Sequence, residues 1–173
     1  MEKKINHTTV TLKKGDIADL EIDAFVFYAR HDLALGSGFG TAIAGRGGPA
    51  IKKELEKLGT LGTCDSVVTA AGDMKAKHIV HAVGPRFQEQ DTEAKLKKTI
   101  ENSLKKAEEA GIKRLAFPAM GTGFYGVPLD TCARILVDTI KVYLMGSTQL
   151  EEVTLCLNDA REYKAFEAKF STL

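Results

Sequence analysis

The sequence predicts one α/β layered domain with a largely parallel core sheet. Three observations predict it. Strand-like and helix-like segments alternate along the chain. One short run, Ala24 to Ala29, is apolar throughout, the pattern of a strand covered on both faces. The length, 173 residues, suits a single domain spanning 1–173, able to bury a full core without staples.

The first strand is expected over Thr8 to Leu12, with Thr8, Val10 and Leu12 on one face. Ala24 to Ala29 is the second. Ser66 to Ala71 and His78 to Val83 follow, joined through Gly72 to Lys77 as a hairpin, and Leu115 to Pro118 and Val153 to Leu157 complete the set. Their residues are β-branched or bulky, as a pleated surface favours. Pro49 suits a first helical position and Gly59 a helix end, so a helix is predicted between them with Ile51, Leu55 and Leu58 inward. A second runs from Asp91 to Ala110, stopped by Gly111, with Leu96, Ile100, Leu104 and Ala107 on its inner face. A third covers Leu129 to Leu144, with Leu129, Ala133, Leu136 and Ile140 inward. The last covers Ala160 to Phe170, with Tyr163, Phe166 and Phe170 as its stripe.

Lys and Arg total 24 against 23 Asp and Glu, so no basic excess points to general nucleic-acid binding. Cys64, Cys132 and Cys156 cannot all pair within one chain and match no zinc or redox spacing. Buried thiols in a reducing compartment are expected, hence a cytoplasmic location. No apolar stretch follows the charged start, and no run approaches a membrane span, so no membrane partner is expected.

Glycine carries the functional signal. Six glycines fall between Gly36 and Gly48, and three more lie in Gly121-Thr122-Gly123-Phe124-Tyr125-Gly126. Each cluster follows a strand and precedes a helix, where open α/β sheets bind ligands. Such turns aim backbone amides at an anion, so two facing turns can grip a diphosphate; the bland alternative is a pair of tight connections. Gly121 to Gly126 satisfies G-x-G-x-x-G but comes too late in the chain, with no acidic residue ending the next strand, to be a dinucleotide fingerprint. Neither cluster ends in the Gly-Lys-Ser/Thr of a P-loop.

Asp16, in Gly15-Asp16-Ile17, either accepts from an adenine amino group or caps a turn. Asn158 either meets a ligand or caps the last helix. Phe124 and Tyr125 either lie beside a sugar or pack down. His78 and His81 point to opposite strand faces and cannot share a metal; no metal and no cofactor is expected. His31 is the one histidine near the glycine turns. Asp32 could orient it, but no nucleophile stands beside them.

These residues, in this order, resemble the macro domain, the ADP-ribose-binding module of the Appr-1''-p processing family. Gly15-Asp16-Ile17 matches its early Gly-Asp-Ile, and Asp23-Ala24-Phe25-Val26 opens its Asp-Ala-Ile-Val-Asn-Ala-Ala-Asn strand. Gly36-Ser37-Gly38-Phe39-Gly40 with Ala42-Ile43 is similar to its first phosphate loop. His81-Ala82-Val83-Gly84-Pro85 is similar to its His-x-Val-Gly-Pro, and Pro118 to Pro128 to its second loop. The resemblance covers about Thr9 to Phe170 and implies a three-layer α/β/α sandwich with a mixed, largely parallel central sheet. It implies ADP-ribose, or an ADP-ribosylated macromolecule, as partner. Asp16 would hold the adenine amino group, with Ile17 near the ring. Ser37, Gly38, Phe39 and Gly40 would wrap the diphosphate from one side, Thr122, Gly123, Phe124, Tyr125 and Gly126 from the other. Tyr125 would also lie against the distal ribose, and Asn158 would border the adenosine.

The departures concern catalysis. Phe27 and Arg30 stand where the family has its two asparagines. Phe39-Gly40-Thr41 replaces Val-Asp-Gly, removing a carboxylate, and Ala44 replaces a histidine. The aspartate that a lysine-based branch of the family needs in its second loop is missing before Asp130. Arg30 could contact phosphate or ribose but cannot act as a base. Two functions stay open: a binding module for ADP-ribose or a related nucleotide diphosphate, and a hydrolase. The hydrolase would remove ADP-ribose from macromolecules or deacetylate O-acetyl-ADP-ribose, using an oriented water with Asp32 or His31.

Overall fold

The computed structural model describes residues 1–173. Seven strands form one sheet: β1 (Glu2–Ile5), β2 (Thr8–Lys14), β3 (Ala24–Tyr28), β4 (Ser66–Ala70), β5 (His78–Ala82), β6 (Arg114–Phe117) and β7 (Glu152–Leu157). Five helices pack on it: α1 (Phe39–Gly47), α2 (Pro49–Leu58), α3 (Thr92–Glu109), α4 (Leu129–Met145) and α5 (Ala160–Phe170). The strand order is β1-β2-β7-β6-β3-β5-β4. From β2 to β5 neighbours run parallel, while β1 and β4 cap the edges antiparallel, so the sheet is mixed as expected.

Strand alternation divides the core into two layers. On β3, Ala24 and Val26 enter a cluster with Leu96, Ile100, Leu136 and Phe166 of α3, α4 and α5. Phe25 between them points the other way, to Ile43, Ile51 and Leu55 of α1 and α2. The apolar stripes of α3 and α5 are buried as their periodicity predicts, except that Tyr163 is half-exposed. Leu58 is a correction: it lies 45% exposed, because α2 ends there and Gly59 turns the chain away. No helix is long and apolar enough to cross a membrane.

Two elements depart from the sequence reading. β1 was not anticipated. Its residues Glu-Lys-Lys-Ile carry no strand signal, and pairing with Thr8 to Thr11 creates it. The stretch after Gly38, read as a glycine-rich loop, is the helix α1. Tertiary packing of Ile43, Gly40 and Gly47 overrides poor glycine propensity.

The strand order makes the site. β3 pairs with β6 at only two positions, Ala24↔Leu115 and Phe25↔Ala116, and the strands part beyond them. From β3 the chain goes to β4 and back to β5 on one side, while β6 lies on the other. This is a topological switch point, where a crevice opens at the carboxyl ends.

Candidate functional site

A cleft of about 960 Å³ opens there, at the upper end of the range for small-molecule sites. The carboxyl ends of all five parallel strands wall it, through Asp16, Tyr28, Val83, Ala119 and Asn158. The two glycine clusters meet across it. Ser37, Gly38 and Phe39 line one side, and Thr122, Phe124 and Tyr125 the other.

The amides explain what these turns offer. Gly38 begins α1 with no capping side chain, and the N–H groups of Gly38 and Phe39 take no partner in the chain. Across the cleft, Thr122, Gly123 and Phe124 likewise keep their N–H groups free. Unpaired amides at a helix start and in a tight turn make an anion site. Gly40 and Gly126 do not wall the cleft, and their N–H groups are already used, donating to Ser37 and Gly123 carbonyls. Gly123 does not wall it either, although its N–H is free.

At one end, Asp16 caps a turn, one of the two jobs open to it, and also forms an ion pair. Its Oδ1 accepts from the Ala18 N–H at 2.9 Å, capping a 3-10 turn, while Oδ2 meets Arg46 at 3.3 Å. Ile17 is buried beside it. Asp159, not Asn158, caps α5, accepting from Glu162 N–H at 2.9 Å, so the Asn158 side chain faces the cleft uncommitted. Cys156 also borders this end, but burial pushes its thiol up to about 11, so no thiolate nucleophile stands there at neutral pH.

At the other end Arg30 donates to both Asp32 oxygens, at 3.1 and 2.8 Å. The Ala34 N–H at 3.0 Å, with Arg30, holds the Asp32 carboxyl below the usual range. Asp32 therefore orients Arg30 rather than His31, which lies exposed in the same wall. Phe27 packs against the rings of Phe39 and His81. Tyr125 packs on Tyr28 with ring centroids 4.6 Å apart, and Phe124 projects into solvent, 86% exposed. Burial raises the Tyr125 phenol despite nearby Arg30. No group of three or more His, Cys, Asp or Glu is arranged to hold a metal.

Sequence reasoning did not find Tyr28, Gly84, Arg86 or Phe87 in this cleft. Gly84 has a readable cause. A Cβ there would lie 2.4 Å from the Tyr28 ring, so glycine is needed for that ring to fit.

An α/β/α sandwich with opposed amide-lined turns at its switch point defines a class of domain shaped to receive a phosphate-bearing ligand. The Macro domain family model matches residues 29–136. A macro domain-containing protein of Caldanaerobacter subterraneus subsp. tengcongensis is 39% identical over 170 residues, 95% of this chain and 97% of the relative. An O-acetyl-ADP-ribose deacetylase 1 of Pantoea vagans is 35% identical over 163 residues, 91% of this chain and 95% of that protein. Among solved structures, the Oceanobacillus iheyensis macrodomain with ADP superposes with a TM-score of 0.94 at 25% identity, covering 99% and 95% of the two chains. A Trypanosoma brucei macrodomain in complex with ADP-ribose gives 0.87 at 26% identity, over 93% and 68%. This chain belongs to the macro domain family.

Proposed function

We propose that this protein binds ADP-ribose, free or attached to a macromolecule, and does not cleave it. The carrying observation is the convergence of free amides, from Gly38 and Phe39 on one side and Thr122 and Phe124 on the other, on one nucleotide-sized cleft. These amides hold the diphosphate. Asp16 accepts from the adenine amino group, Ile17 packs near its ring, and Asn158 borders the adenosine. Tyr125 lies against the distal ribose. Arg30, oriented by Asp32, directs its remaining N–H groups at ribose or phosphate.

Hydrolysis needs a base with a free acceptor beside the distal ribose. Asp32 is already engaged by Arg30 and Ala34, and its low pKa makes it a poor base. The second reading, a hydrolase, is favoured by His31 in the same wall and by the kinship to a deacetylase. Calorimetry with ADP-ribose, then incubation with mono-ADP-ribosylated protein and O-acetyl-ADP-ribose, separates the two. Micromolar binding with turnover no faster than blank is expected. Turnover that disappears in His31→Ala assigns the site to the hydrolase. Absence of ADP-ribose binding and of turnover ends both readings.

A further inference from the structure

We infer that Tyr28 is a positioning residue that holds the Tyr125 ring in place, and so sets a preference for ligands carrying the distal ribose over ligands ending at the diphosphate. The inference rests on the ADP-ribose reading above. Tyr28 closes β3, and its side chain reaches two other segments, the stretch after β5 and the second glycine turn. The centroid lies 4.6 Å from that of Tyr125, with the planes tilted by 54°. The hydroxyl donates to the Pro85 carbonyl at 2.5 Å. The ring also fills the space left by Gly84, where a Cβ would be 2.4 Å away, and borders Gly121, where a Cβ would be 3.5 Å away.

The ring it holds needs bracing. Gly121, Gly123 and Gly126 all take positive φ, so the segment holding Tyr125 has little intrinsic stiffness. Burial keeps the Tyr28 phenol protonated, so its bond to Pro85 persists across the working pH range. A Tyr125 held in place before binding spares the ligand the cost of ordering it. That gain reaches only ligands that touch Tyr125.

The test is calorimetry of ADP-ribose and ADP on the full chain and on Tyr28→Phe and Tyr28→Ala. The unmodified chain is expected to prefer ADP-ribose. Tyr28→Phe loses only the Pro85 tether, and the ratio of ADP-ribose to ADP affinity should fall about three- to ten-fold. ADP affinity should stay within about two-fold. Tyr28→Ala should abolish the preference; if that variant fails to fold, Tyr28→Phe decides. Equal losses for both ligands, or an unmoved ratio in Tyr28→Phe, overturn this inference alone, as does an unmodified chain without preference. An unmodified chain that binds no ADP-ribose overturns the binding function as well.

Discussion

Acid should destabilise this protein through His81. The side chain is fully buried on β5. Its Nε2 lies 2.9 Å from Thr69 Oγ1, and that hydroxyl already donates its one hydrogen to the Ala70 carbonyl. Nε2 must therefore carry the proton, and Nδ1 is left as a bare acceptor with no partner. A second proton on Nδ1 would be an unpaired buried charge beneath Phe27, and burial lowers the pKa from 6.5 to about 4. The unfolded chain takes up that proton below about pH 6.5 and the folded one does not, so stability falls as pH drops from there toward about 4. The full linkage is about 3 kcal/mol, of which about 2 kcal/mol is lost between about pH 7.5 and about pH 5. Urea unfolding at those two pH values, on the unmodified chain and on His81→Leu, measures it. The leucine variant should lose about 2 kcal/mol less across the interval. An identical pH dependence in both proteins refutes the reasoning.

Three further outcomes are expected. Gly84→Ala drives a methyl into the Tyr28 ring and should cost about 1–3 kcal/mol, read by urea unfolding together with an altered near-UV tyrosine signal. Gly123→Glu places a carboxylate at a position of φ +70 beside the free amides. It should weaken ADP-ribose binding by about ten-fold or more in calorimetry, at a folding cost of about 1–3 kcal/mol; an unchanged affinity moves the diphosphate elsewhere. Phe166→Ala empties a fully buried position between α5 and the sheet and should lower stability by about 3–5 kcal/mol in denaturant titration, with the ligand affinity of the folded fraction preserved.

Local chemistry carried a large part of the molecule. α5 has the bounds its sequence predicts because its signals lie within a few residues: Asp159 caps it, and Phe166 and Phe170 mark its inner face. The hairpin of β4 and β5 follows from two apolar runs around Gly72. The glycine turns were legible because left-handed φ is a property of short segments. Where the signal was not local, it misled or was silent. β1 exists only through its partner strand, and α1 only through packing of Ile43 and Gly47. Asp32 stands next to His31 in sequence yet binds Arg30, because Ala34 turns its carboxylate that way.

From its residues alone, then, the chain declares alternating α and β segments, the buried stripes, and two turns suited to a phosphate group. The placing of β6 beside β3, with pairing abandoned after two rungs, belongs to the tertiary structure. So does the gathering of Tyr28, Gly84 and Tyr125 into one brace. Periodicity and capping act over a few residues, whereas strand order is decided by how both core layers fill at once, and no short segment carries that information.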